Sequence, residues 1–136
     1  MDNKKFVDIL IEEVYEDSFN ENINFFNNAK LEDIQGTFYQ AKKIYDNLDN
    51  SDKKAFLDII QINIEDTIAI ILSIIDEWGG GYFNDGKDND GHFELYYVSD
   101  EEDKYKYRVD EDTLALFLER TEEIKETEDQ QKKDKK

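Results

Sequence analysis

The sequence predicts an α+β chain, mostly helical, with four to five helices around a central apolar helix and a small antiparallel β-hairpin. Three observations carry that expectation. Apolar residues from Ser51 to Trp78 recur at helical spacing and cover more than half of a helix circumference. The segments before Ser51 carry narrower apolar stripes at the same period. After Gly79-Gly80-Gly81 the period drops to two, which is the alternation of paired strands.

In the central segment Phe56, Ile60, Ile70, Ile71 and Ile74 share one broad face, and Leu57, Ile64, Ile68, Leu72 and Ile75 extend it sideways. Asp58, Gln61, Glu65, Asp66, Asp76 and Glu77 leave only a narrow polar stripe, with Ala69 and Ser73 among them. A helix of this kind is central, with partners on both flanks. Isoleucine is a modest helix former, so burial must hold the segment helical. Asn50 or Ser51 is the expected cap, Asp52 favours the first turn, and the triple glycine ends the helix. Asn63 and Thr67 are expected to bond a neighbouring helix or backbone within the core; a polar spot in a pocket is the alternative. The longest uncharged stretch, Thr67 to Ile75, is far short of the roughly 20 residues of a membrane span.

The chain opens with an amphipathic helix over Asn3–Asp17, with Phe6, Leu10 and Val14 on one line and Val7, Ile11 and Tyr15 beside it. Ser18-Phe19-Asn20-Glu21 has capping-box spacing and predicts a second helix carrying Phe19, Ile23 and Phe26. A third helix is expected from Leu31 or Asp33 to Leu48, with Ile34, Phe38, Ala41, Ile44, Tyr45 and Leu48 inward and a break at Gly36. Beyond a short strand at Gly81–Asn84, Phe93, Leu95 and Tyr97 alternate with Glu94, Tyr96 and Val98. Tyr105, Tyr107 and Val109 alternate with Lys104, Lys106 and Arg108 after a turn over Ser99–Asp103. One aromatic face should pack on the helices, while Glu94 on the other pairs with a cation across the strands. Asp110 or Asp112 then caps a last helix to about Ile124 that buries Leu114, Phe117, Leu118 and Ile124. Residues 1–125 read as a single globular domain. Residues 126–136 are charged without one apolar side chain and read as a disordered tail.

Composition narrows the chemistry. The chain has no cysteine, which removes disulfides, zinc–thiolate centres and thiol nucleophiles. The N-terminus lacks the apolar core of a signal peptide, so a cytoplasmic setting is expected. Absent proline and heavy use of Ile, Asn, Asp and Lys suggest an AT-rich bacterial or phage coding bias. With 35 acids against 17 Lys and Arg the net charge is −18, which repels nucleic-acid phosphates and anionic lipid and attracts basic partners.

The acidic loop Asn84 to Gly91 invites comparison with a calcium loop, which needs alternating acids before a glycine and a bidentate glutamate six residues after it. With Gly91 as that glycine, Asp88 and Asp90 fit, but Gly86 and Tyr97 occupy the first and last ligand positions. The loop reads as a solvated turn, with weak divalent-ion binding as the alternative. His92 is the only histidine, and acid–base use of it needs a partner within hydrogen-bond reach. No serine sits in a G-x-S-x-G elbow, and the triple glycine lacks the Lys-Ser/Thr of a phosphate loop. Lys104, Lys106 and Arg108 interleave with tyrosines like a single-strand binding platform, but the flanking acids oppose that use. No catalytic residue, metal site or cofactor is therefore expected. The candidate binding residues are Asp85, Asp88, Asp90, His92, Glu94, Asp100, Glu101, Glu102 and Asp103.

The order of short motifs resembles an uncharacterised family of small bacterial cytosolic helical proteins. The matching pieces are Phe6-Val7 to Asp17, Leu48 to Asp52, Ile74-Ile75-Asp76, Glu94-Leu95-Tyr96-Tyr97 and Leu114 to Phe117. The corner differs in reading Asp76-Glu77-Trp78 before its glycines, and the resemblance implies no activity.

The expected function is that of a non-catalytic acidic binding or inhibitor protein of immunity or anti-defence type, engaging a basic protein partner and neither nucleic acid nor membrane. A small hydrolase-like enzyme using carboxylates and His92 is the alternative, as is a housekeeping subunit. A homodimer through a hairpin edge or an exposed apolar face is left open.

Overall fold

A computed structural model of the chain describes residues 1–76, 93–100 and 105–136. Among them, five α-helices and one two-stranded antiparallel sheet make the mostly helical α+β fold that the sequence predicts. The expected strand at Gly81–Asn84, the glycine end of the central helix, the loop from Asn84 to Gly91, His92 and Glu101 to Lys104 lie outside the described residues.

Helix α1 (Asn3–Ile9) opens on Asp2, whose carboxylate accepts the Lys5 backbone N–H at 2.9 Å. It runs through a π-helical segment (Leu10–Glu16) into α2 (Asp17–Asn28), so the helix start expected at Ser18 is absent. Asp17 keeps right-handed helical dihedrals. The Ser18 carbonyl accepts a 2.7 Å bond from the Asn22 side chain instead of the hydroxyl capping a new helix. The wider π turn suits the four-residue spacing of Val7, Ile11 and Tyr15, all buried on one line.

A 3₁₀ turn (Leu31–Asp33) precedes α3 (Gly36–Asp46). Gly36 lies at φ +65°, a left-handed conformation that resists side chains, and it starts the helix rather than interrupting a longer one. Phe38 and Ile44, expected inward, are exposed. The interior line of α3 is held by Tyr45 and by Lys42, whose ammonium donates to the Phe26 carbonyl at 2.8 Å and pairs with Asp46. Tyr45, Phe26 and Phe56 form an aromatic cluster with centroids 4.8 to 5.5 Å apart, joining α2 and α3 to the next helix.

Helix α4 (Asn50–Ile75) starts one residue earlier than predicted, because Asp49 is the cap and accepts the Asp52 N–H at 2.8 Å. It contributes Ile68 and Leu72 to the main core with Val7, Ile11, Tyr15 and Phe117. Each such fully buried side chain contributes roughly 1.5–3 kcal/mol. The face chosen differs from the one expected. Ile70 and Ile71 are exposed, as are Ile59 and Ile62, whereas Gln61, Glu65 and Asp76 of the polar stripe turn inward and its Asp66 is exposed. Gln61 donates to the Tyr15 hydroxyl at 3.0 Å, Glu65 pairs with Lys125 at 2.6 Å, and Asp76 is buried. A helix apolar nearly all round carries no face preference in its period, and these polar partners select the face. Asn63 and Thr67 lie on the exposed side, not in the core, and the Thr67 hydroxyl donates back to the Asn63 carbonyl at 2.7 Å.

Strands β1 (Tyr96–Val98) and β2 (Lys106–Arg108) pair antiparallel with Tyr96 opposite Arg108, Tyr97 opposite Tyr107 and Val98 opposite Lys106. The ladder continues through the Ser99 N–H to the Tyr105 carbonyl and the Val109 N–H to the Leu95 carbonyl. The antiparallel pairing is as predicted, but the strands show no inward face: Tyr97, Tyr105 and Tyr107 are exposed rather than packed on the helices. Among the described hairpin residues, Val109 and Asp110 at its base are buried.

Helix α5 (Thr113–Asp134) runs past Ile124 through the segment expected to be a disordered tail. Glutamate, glutamine and lysine are good helix formers, no glycine or proline interrupts them, and Lys132 and Lys133 complement the C-terminal dipole. Phe117 is buried with Thr113 and Thr121, while Leu118, expected inside, is exposed. Asp112 precedes α5 in a left-handed conformation, φ 54°, and its side chain makes no cap. The cap comes from α4 instead. Asp76 accepts the Leu114 N–H at 2.9 Å and the Thr113 hydroxyl at 3.3 Å. Among the described residues no helix is long and apolar enough to cross a membrane.

Replacing Asp76 by alanine removes the acceptor of the buried Thr113 hydroxyl and the part-buried Leu114 N–H and is expected to lower stability by about 1–3 kcal/mol in urea unfolding, and Asp76→Asn by less. An unchanged midpoint in Asp76→Ala would contradict the cap.

Candidate functional site

Of the residues singled out from the sequence, Glu94 and Asp100 are described; Asp85, Asp88, Asp90, His92, Glu101, Glu102 and Asp103 are not. Glu94 and Asp100 stand at opposite ends of β1 and both are exposed. Glu94 accepts the Tyr96 hydroxyl at 2.9 Å and lies 3.8 Å from Arg108, the cross-strand cation expected for it.

Arg108 also forks onto Asp110 with bonds of 3.0 and 3.2 Å, and Asp110 is fully buried. Burial acts to raise the Asp110 pKa, but the Arg108 guanidinium and the backbone N–H groups of Leu95 and Asp110 outweigh it and hold the carboxyl below its usual range. Asp76 thus ties the end of α4 to the start of α5, and Asp110 braces the base of the hairpin. Both are committed to structural bonds and are poor candidates for acid–base work. Tyr15 is likewise engaged: burial and the nearby Glu65 push its phenol above the usual range, which keeps it neutral near pH 7.

Among the described residues, carboxylates also gather between α1 and α5. Helix α1, the π-helical segment and α5 border an open groove of about 370 Å³ whose walls carry Asp8, Glu12, Glu16, Glu123 and Glu128. Ile11 and Ile124 lie on its floor, and Arg120 is the cation among its lining residues. That arginine is already held by Asp8 at 3.3 Å and by Glu123 at 2.9 Å, and these carboxylates raise its pKa further. A neighbouring cleft of about 540 Å³ shares Glu16, Ile124 and Glu128 and adds Tyr15, Phe19, Lys54, Asp58 and Lys132. Helix spacing is what gathers the groove: Asp8, Glu12 and Glu16 follow at four-residue steps along one helix, and Glu123 faces them from α5.

Sequence reasoning missed this groove because it depends on α5 lying beside α1 and on the helix persisting past Ile124. The four-residue step of Asp8, Glu12 and Glu16 is the one signal that pointed to it. Among the described residues, no group of three or more His, Asp or Glu side chains is arranged to hold a metal ion. Comparison of the chain with protein-family models, with curated proteins and with solved structures finds no match.

Because the folded Asp110 pKa lies below the unfolded value of 3.8, its stabilising contribution is complete above that value and is lost as pH falls through the folded one. Asp110→Asn is expected to cost about 2 kcal/mol or more near neutrality. The gap to wild type should narrow below about pH 4. Relief of charge repulsion on acidification affects both proteins alike. A gap that widens in acid would contradict the assignment.

Proposed function

We propose that this chain is a non-catalytic acidic binding protein that engages a basic protein partner, acting as an immunity-type or anti-defence-type inhibitor in the cytoplasm. The observation that supports it is the groove between α1, the π-helical segment and α5, in which five carboxylates face one already neutralised arginine. A partner's lysines or arginines would find there a wall of acceptors around the apolar floor of Ile11 and Ile124. The net charge of −18 adds long-range attraction that speeds encounter with basic proteins and turns nucleic acid away.

Affinity capture from the native cell at low salt tests the proposal. The expected result is one basic protein, released as ionic strength rises enough to shorten the Debye length to a few Å. Its binding should weaken about tenfold or more in Glu12→Lys/Glu16→Lys/Glu123→Lys, whose fold is checked by circular dichroism. Recovery of no protein at low salt, or of an acidic partner indifferent to salt, would overturn the proposal.

A further inference from the structure

Helix α4 presents a second surface on the side turned away from the core. Ile59, Ile62, Asp66 and Ile70 follow one another at steps of three, four and four residues, which aligns them as one ridge of the helix. The three isoleucines are 57%, 46% and 47% exposed. Isolated exposed apolar residues are ordinary, but a row at helical spacing on a rigid element is the pattern of a docking face. No lysine or arginine occurs on α4 between Ala55 and Ile75. Asp66 stands in the middle of the row, exposed, and no ion pair is formed by it among the described residues.

We infer that this ridge docks an amphipathic helix of a partner protein, with apolar side chains laid against Ile59, Ile62 and Ile70 and a lysine or arginine on Asp66. Charge decides the occupant. A second copy of the chain would bring −18 against −18, and a two-fold axis centred on the row would set Asp66 close to its own counterpart. A basic helix meets neither penalty and gains a charge-assisted bond at the centre of the contact. The inference rests on the reading of this chain as a binder of basic proteins, but it places a contact on the face of α4 turned away from the core and not in the groove beside α5.

The test uses the full chain and two synthetic peptides of identical leucine and lysine content, one an amphipathic helix and the other scrambled so that no apolar face forms. Ile59→Gln/Ile70→Gln removes the apolar contacts without changing charge, and both sites are exposed enough to leave the fold intact. The amphipathic peptide is expected to bind wild type at physiological salt and to bind the double variant about tenfold more weakly or worse. The scrambled peptide, which reports charge alone, should not distinguish them. Equal binding of the amphipathic peptide to both proteins would overturn the ridge while leaving the acidic reading standing. Failure of wild type to bind either peptide would overturn both. Sedimentation as a dimer that the double variant dissolves would assign the ridge to self-association instead.

Discussion

The inward turn of Gln61, Glu65 and Asp76 on α4 is the constraint on which the rest of this structure depends. Gln61 meets the Tyr15 hydroxyl, Glu65 meets Lys125 and Asp76 caps α5, so three polar side chains along one side of α4 each fix a different neighbour. Apolar burial alone offers α4 two nearly equivalent faces, since isoleucines occur on both. Turning the other face inward would gain Ile59 and Ile70 for the core but would leave the Tyr15 hydroxyl, the Thr113 hydroxyl and the Leu114 N–H without their partners on α4 and Asp76. An unpaired buried polar group costs about 1–3 kcal/mol, which is comparable with burying an aliphatic side chain. The polar bonds therefore select the face, and the isoleucines on the opposite side are left in solvent.

Both candidate interaction surfaces follow from that choice. With α5 held beside α1 through Phe117, Thr113 and the Asp76 cap, the carboxylates of the two helices line a common groove. Such a gathering of negative charge destabilises the compact state through self-repulsion. Two ion pairs offset part of it within the fold: Arg108 with the buried Asp110 at the base of the hairpin, and Lys125 with the part-buried Glu65 between α5 and α4. What remains on the surface is the acidic groove, with Arg120 held between Asp8 and Glu123, together with the ridge of isoleucines that the core did not use.

Much of the architecture was legible in the residues. The switch from helical to two-residue period located the hairpin, and the cation expected opposite Glu94 is Arg108, whereas the register that sets Tyr97 opposite Tyr107 was not read from the residues. The orientation of α4 was not legible, because a helix apolar nearly all round gives no preferred side and its deciding bonds join residues far apart in sequence. The persistence of α5 was hidden for a related reason: residues 126–134 have no apolar signal, and only their helix propensity and the attachment of the preceding turns carry the helix on. Among 35 acids, nothing local distinguishes Asp76 and Asp110, which are buried, from Asp112, which is exposed. The same abundance drew attention to the hairpin acids and away from the four-residue row at Asp8, Glu12 and Glu16.

The absence of native cysteine allows the orientation of α4 to be measured directly. Single variants Ile59→Cys, Ile70→Cys and Leu72→Cys, treated with a thiol reagent under native conditions, report which side of the helix meets solvent. The account predicts reaction at positions 59 and 70 close to the rate of the unfolded chain, with position 72 protected until the protein opens. Protection at 59 and 70 together with rapid labelling at 72 would contradict it.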